Sequence, residues 1–196
     1  MTADTRHANR RRTLHADDAQ VWVFGYGSLI YKVDFPYIER RRACIRHWQR
    51  RLWQGSHDHR GTPEAPGRVV TLIREPEAVC TGMAYLITPA AFAQLDEREK
   101  NGYLRFSTGL ELGNGEQSPG LVYIAPAGNA AFLGPASECE IARHVAACCG
   151  ASGPNRDYVL KLATALRKLG TDDPHVFTVE RHLLSLIGSG GCAHGH

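Results

Sequence analysis

The chain has 196 residues, 43% of them hydrophobic and 22% charged, which is the balance of a globular domain large enough to bury a core. A formal net charge of +3 is too small to imply a nucleic-acid partner. No run approaches the ~18 apolar residues of a membrane span, so no membrane association is expected.

The polar opening M-T-A-D-T-R-H-A-N-R-R-R lacks the apolar centre of a signal peptide. A cytoplasmic location is therefore expected. The six cysteines show no C-x-x-C or zinc-ribbon spacing and are expected to be reduced and mostly packed. Residues 1–20 read as a flexible tail, residues 21–187 as a single domain and residues 188–196 as a second flexible tail.

The first strand is predicted over residues 21–25, within V-W-V-F-G-Y-G-S-L-I. It runs into a glycine-punctuated turn at Tyr26, Gly27, Ser28 and Leu29, where backbone N–H groups can face a small anion such as a carboxylate. An aromatic loop with Tyr31, Phe35 and Tyr37 follows. The basic stretch 39–51 alternates with Cys44, Trp48 and Leu52, which fits a strand or bent strand pair over about 42–53.

Residues 54–67 are too rich in glycine, proline and polar groups to be regular. His57, Asp58 and His59 are adjacent in this loop and do not surround an ion without further ligands, so no metal site is expected. R-V-V-T-L-I-R and V-C-T-G-M-A-Y-L-I then read as an antiparallel hairpin joined by E-P-E-A.

Pro89 opens a short helix over about 90–98 with Phe92 and Leu95 on one face, and Glu99 falls where it ends. Strands are predicted over 103–110 and 120–125. Ser137 and Glu140 form a capping box for a helix over about 138–149. Asn155 is read as the cap of the next helix, lined by Val159, Leu162, Leu166 and Leu169 and stopped by Gly170. Asp173-Pro174 opens the last helix, with Phe177, Leu183, Leu184 and Ile187 inward and Gly188 closing it.

Strands followed by helices make an α+β pattern. No G-x-G-x-x-G or Walker sequence is present, which excludes the common nucleotide-binding signatures.

These residues resemble the gamma-glutamylcyclotransferase superfamily, and within it the ChaC-like enzymes specific for glutathione. The resemblance runs over about 21–184. It is carried by Phe24-Gly25-Tyr26-Gly27-Ser28-Leu29, Trp53-Gln54-Gly55-Ser56, Asp58-His59-Arg60-Gly61-Thr62-Pro63, and Pro66-Gly67-Arg68-Val69-Val70-Thr71-Leu72. It implies a small mixed β-barrel with packed helices and a lyase that converts glutathione to 5-oxoproline and cysteinylglycine. No cofactor or metal is implied.

Glu99 stands where that family keeps its catalytic glutamate. Tyr158 stands in the family's late asparagine–tyrosine element, with Asp157 where glutamate is frequent. Substrate-binding roles follow for Tyr26, Gly27, Ser28, Leu29, Tyr103 and Tyr158, and for Arg68 at the glycyl carboxylate. Two other readings stay open: a cyclotransferase for other γ-glutamyl amino acids or amines, and a non-catalytic γ-glutamyl-peptide binding module.

In the implied reaction the glutamyl α-amine attacks its own γ-carbonyl, and one carboxyl group can serve both nitrogens in turn. A free glutamate titrates near ~4.3 and an α-amine near ~8, so the first proton transfer is uphill by roughly 5 kcal/mol. Shelter from water is expected to raise the Glu99 pKa and narrow that gap. For the same reason Arg98 and Lys100 are expected not to pair tightly with Glu99.

Overall fold

The structure, a computed structural model, describes residues 4–12 and 20–190. Both expected tails fall partly outside the described residues. Where the first is described, α1 (Arg6–Arg11) is a helix. The barrel strands are β1 (Val21–Gly25), β2 (Glu39–Ser56), β3 (Gly67–Ile87), β4 (Leu104–Leu112) and β5 (Gln117–Ile124). The longer helices are α2 (Phe92–Arg98), α3 (Glu138–Ala147), α4 (Asn155–Lys168) and α5 (Pro174–Gly190).

Five strands close a barrel in the order β1-β3-β2-β4-β5. β1 pairs antiparallel with β3, from Val21↔Ile87 to Gly25↔Met83, and parallel with β5, from Trp22↔Gly120 to Phe24↔Val122. β4 and β5 are antiparallel neighbours from Leu104↔Ile124 to Glu111↔Gln117. The barrel is therefore mixed, as the resemblance implied. β1 lies between two partners with its last four residues buried, which is why it reads as an unbroken apolar run.

The chain groups into two compact units, Met1–Arg50 with Thr71–Phe132, and Arg51–Val70 with Leu133–His196. In the first, Val23, Leu29, Tyr85, Ile87, Leu95 and Leu121 form a buried cluster, with Phe35 edge-on to Tyr85. The expected hairpin at E-P-E-A is absent, because β3 runs through Pro76 as one strand. Proline lacks an N–H to pair, and strands tolerate it at bulges. The opposing irregularity is His47, at φ 68°, whose Nδ1 meets the Pro76 carbonyl at 2.5 Å.

In the second unit α5 packs on α3 and α4. The capping box is formed: the Glu140 N–H donates to Ser137 Oγ, and the Glu140 carboxylate accepts from the Ser137 N–H. Gly170 ends α4 at φ 62°. The inner face of α5 is Val176, Val179 and Leu183, whereas Leu184 and Ile187 are exposed, contrary to the expected face. α5 also continues past Gly188 to Gly190. Among the described residues no helix is long and apolar enough to cross a membrane.

Candidate active site

Gly25 ends β1 where a Cβ would lie 2.5 Å from the Leu29 Cβ, so glycine is what lets the chain fold back over Leu29. The following turn, Ser28–Ile30, is a single 3-10 turn. Its first bond runs from the Ile30 N–H to the Gly27 carbonyl at 3.0 Å. The N–H groups of Ser28 and Leu29 precede that bond and have no acceptor within the turn.

The turn is held from several sides. The Tyr85 hydroxyl donates to the Leu29 carbonyl at 2.5 Å, and burial pushes its pKa up to about 12. The Tyr26 hydroxyl donates to the Tyr123 carbonyl at 2.8 Å. Arg50, itself buried, donates from Nε to the Tyr26 carbonyl and from Nη2 to the Thr81 carbonyl, both at 2.6 Å. These buried polar groups trade water for fixed partners and leave the turn one geometry.

α2 delivers the acid. Glu99 follows its last turn, with its N–H bonded to the Leu95 carbonyl at 2.9 Å. The Glu99 side chain is 16% exposed. Arg98 Nε lies 3.2 Å from Glu99 Oε1, and Arg98 Nη2 donates to the Ser28 hydroxyl at 2.7 Å. Arg98 Nη1 pairs with Asp34.

One guanidinium thus spans the turn and the carboxylate. The expectation that Arg98 stays clear of Glu99 is corrected. A carboxylate this sheltered is costly without a compensating donor, and Arg98 is sheltered to the same degree. Lys100 goes instead to Glu97, at 2.5 Å.

Beneath α2 lies a second polar group that is absent from the sequence reading. The Tyr123 hydroxyl donates to Asp96 Oδ1 at 2.7 Å, and Arg105 Nη2 lies 3.5 Å from Asp96 Oδ2. All three residues are buried. Burial, with the Asp96 hydrogen bond, raises the Tyr123 pKa, and the Glu99 charge acts in the same direction. Tyr103 packs against the Leu29–Tyr85 cluster, half-buried.

Tyr26, Gly27, Ser28, Leu29, Glu99 and Tyr103 therefore belong to the first unit. Arg68 and Tyr158 belong to the second, where Asn155 brings them together. The Asn155 carboxamide accepts from the Arg68 N–H at 2.7 Å and donates to the Arg68 carbonyl at 2.9 Å. The Tyr158 hydroxyl accepts from the Val70 N–H at 3.2 Å.

Asn155 is thus the first residue of α4 and a clamp on β3, not the helix cap; that position is held by Pro154. The Arg68 guanidinium is buried, donating from Nη1 to the carbonyls of Leu52 and Gly134 at 3.0 and 3.1 Å. Its Nε has no hydrogen-bond partner, and burial lowers its pKa.

The sequence reading missed Arg98, Tyr85, Tyr123, Asp96 and Arg105. A signal existed for Asp96, a charge one position from Leu95 on the buried side of a short helix, which demands a partner. Tyr85 is the hydroxyl-bearing residue of an apolar strand run. Nothing local marked Arg105. Among the described residues no group of three His, Cys, Asp or Glu side chains is set to hold a metal ion.

A family profile described as ChaC-like protein matches residues 21–185. Glutathione-specific gamma-glutamylcyclotransferase 1 of Danio rerio is 41% identical over 182 residues, covering 88% of this chain and 93% of that protein. Gamma-glutamylcyclotransferase 2-3 of Arabidopsis thaliana is 43% identical over 180 residues, covering 84% and 90%. A crystal structure of the gamma-glutamyl cyclotransferase specific to glutathione from yeast is similar at TM-score 0.79 and 30% identity, covering 86% of this chain and 97% of that one. The fold is thus that of the gamma-glutamyl cyclotransferases, and the chain belongs to the ChaC-like family.

Proposed function

We propose that the chain is a glutathione-specific gamma-glutamylcyclotransferase, a carbon–nitrogen lyase that cyclises the γ-glutamyl group of glutathione to 5-oxoproline and releases cysteinylglycine. The observation that carries this reading is the sheltered Glu99 carboxylate tied through Arg98 to Ser28 of the glycine turn. Similarity to the zebrafish and yeast glutathione-specific proteins supports the substrate.

Glu99 takes a proton from the glutamyl α-ammonium, and the freed amine attacks the γ-carbonyl. A bond forms between the α-nitrogen and the γ-carbon, and the γ-amide C–N bond breaks. Glu99 returns that proton to the departing cysteinyl nitrogen, and the ring nitrogen's second proton follows it, so that cysteinylglycine leaves as the ammonium and 5-oxoproline keeps one N–H. Closing a five-membered ring within one bound molecule leaves the enzyme mainly the tasks of folding the substrate and moving that proton.

The α-carboxylate is assigned to the N–H groups at Gly27, Ser28 and Leu29, beside the Tyr26 strand end. Ser28 is occupied by Arg98, which supports a binding or turn-fixing role over a nucleophilic one. Tyr103 and Tyr158 are assigned to orienting the γ-glutamyl group. Arg68 is assigned to the glycyl carboxylate. In support, its guanidinium is buried with an unpartnered Nε, and such a cation gains from an anion. A cytoplasmic location fits this substrate and the five described cysteines, all free thiols.

The test is release of 5-oxoproline from glutathione by the purified chain and by Glu99→Gln, with γ-glutamylalanine run in parallel. Product from the native chain with glutathione, and none from the variant, is expected. Persistent product in Glu99→Gln removes the assigned role. Equal turnover of γ-glutamylalanine makes the chain a broader cyclotransferase, and no product with either substrate leaves only a binding module.

A further inference from the structure

Residues ahead of the family region reach directly into the loop that carries Glu99. The Thr5 N–H donates to the Lys100 carbonyl at 2.9 Å. Its hydroxyl lies 2.9 Å from the same carbonyl and 3.3 Å from the Glu99 carbonyl. Asp4 forms an antiparallel bridge with Asn101.

One helical turn further on, the Asn9 carboxamide donates from Nδ2 to the Tyr103 carbonyl at 3.0 Å and accepts from the Arg105 N–H at 2.9 Å. A carbonyl and the N–H two residues later face the same side of a strand. Asn9 therefore satisfies the start of β4 as a neighbouring strand would. Its own carbonyl accepts from the Arg105 guanidinium, and Arg12 donates to the Arg105 carbonyl at 3.0 Å while covering Phe106. Arg6 reaches Glu97 at 2.7 Å.

Asn9 is fully buried and Thr5 is 8% exposed. Two buried polar side chains spent entirely on the backbone of residues 99–105 are not what a solvated tail contains. Charged surface helices of this kind ordinarily hold on by exposed ion pairs, which contribute little. Here the exposed pair, Arg6 with Glu97, is an addition to a buried clamp.

We propose that Thr5 and Asn9 brace the catalytic loop from the N-terminal segment, as positioning residues that hold the Glu99 and Tyr103 backbones for the proton transfer. The inference rests on the cyclotransferase reading of Glu99. Carboxylate placement governs the chemical step more than substrate affinity, and a displacement of about 1 Å can cost on the order of a hundredfold in rate.

The experiment uses the full chain with Asn9→Ala, Thr5→Val and, as a control on the same segment, Arg10→Ala, which alters an exposed side chain. Steady-state turnover of glutathione is measured at a temperature where each variant is fully folded by circular dichroism. Amide hydrogen exchange is followed over residues 97–103, where the Glu99 N–H bonds to the Leu95 carbonyl of α2 and the Gly102 N–H to the Lys100 carbonyl.

The expected result is a kcat at least about tenfold lower for Asn9→Ala and Thr5→Val, with KM changed by less than about threefold. Exchange in the loop is faster in both, and Arg10→Ala behaves as the native chain. The proposal is overturned if the folded variants keep kcat within about twofold of native, or if kcat falls without faster exchange. Should Asn9→Ala not fold, Thr5→Val decides on the same two readouts. If the native chain releases no 5-oxoproline, the fault lies with the activity reading, and exchange alone decides whether the brace holds the loop.

Discussion

Arg98 donates from Nη2 to the Ser28 hydroxyl at 2.7 Å while its Nε lies 3.2 Å from the Glu99 carboxylate. A residue that sequence reading set aside as pointing elsewhere is thus the physical link between the glycine turn and the acid. Replacing it by Met keeps most of the stem and removes both donors. Arg98→Met is expected to lower kcat/KM by roughly tenfold or more. Initial rates of native and variant over a range of glutathione concentrations check this. An unchanged kcat/KM would show that the link from Ser28 to Glu99 through Arg98 plays no part in turnover.

Tyr85→Phe tests the support of the turn. The substitution leaves the Leu29 carbonyl without its 2.5 Å donor in a buried place. Leaving a buried acceptor unpaired costs about 1–3 kcal/mol, which urea unfolding of the two proteins measures. KM for glutathione rises with it, because the Ser28 and Leu29 amides lose their fixed aim. A variant as stable as native, with an unchanged KM, would mean the turn is held by Tyr26 and Arg50 without Tyr85.

The buried Asp96–Arg105 pair gives a stronger stability prediction. Asp96→Ala leaves the guanidinium of Arg105, 8% exposed, beside the face of Phe92 with its carboxylate gone. Removing one partner of a buried ion pair costs about 3–5 kcal/mol, because the other charge stays buried. Denaturant midpoints of Asp96→Ala and of the double variant Asp96→Ala, Arg105→Met separate the terms. The double variant is expected to recover part of the loss. If it is no better than the single variant, the cost lies in lost packing and in the orphaned Tyr123 hydroxyl.

What was legible in the sequence follows the range of the interactions. β1, the glycine turn, α2 with Glu99 at its end, the α3 capping box and the Gly170 stop are fixed by neighbours within a few residues, and they were readable. The reading failed where distant partners decide. Pro76 looked like a hairpin turn because the left-handed backbone of His47, whose ring meets the Pro76 carbonyl, cannot be seen locally. Asn155 looked like a cap because its partner, the Arg68 backbone, lies 87 positions away. Residues 1–20 read as a flexible tail because the groups Asn9 satisfies lie at residues 103 and 105. At the site, the turn and the acid were found as separate motifs. Arg98, which joins them, is expected from the sequence to stay clear of Glu99, because its partners Ser28 and Asp34 are remote in sequence.

Acid sensitivity is predicted at a different place, the second unit. The Leu52 N–H donates to His175 Nε2 at 3.0 Å, so that nitrogen carries the lone pair. The ring proton is on Nδ1 and is given to Glu138 Oε1, also at 3.0 Å. The contact is a hydrogen bond from a neutral imidazole rather than an ion pair. Burial lowers the His175 pKa below its ordinary 6.5 and outweighs the opposing pull of Glu138. A histidine depressed in the folded state adds its full stability above the unfolded value. That stability is lost as pH falls from about 6.5 through the lower folded value, since the unfolded chain takes up the proton first. The Glu138 pKa is lowered by the same hydrogen bond, and its contribution is lost in the same direction at lower pH. Urea midpoints of the native chain are therefore expected to drop between about pH 7 and about pH 5. His175→Gln, which cannot titrate, should drop less over that range. Parallel curves for the two proteins would assign the acid sensitivity to other groups.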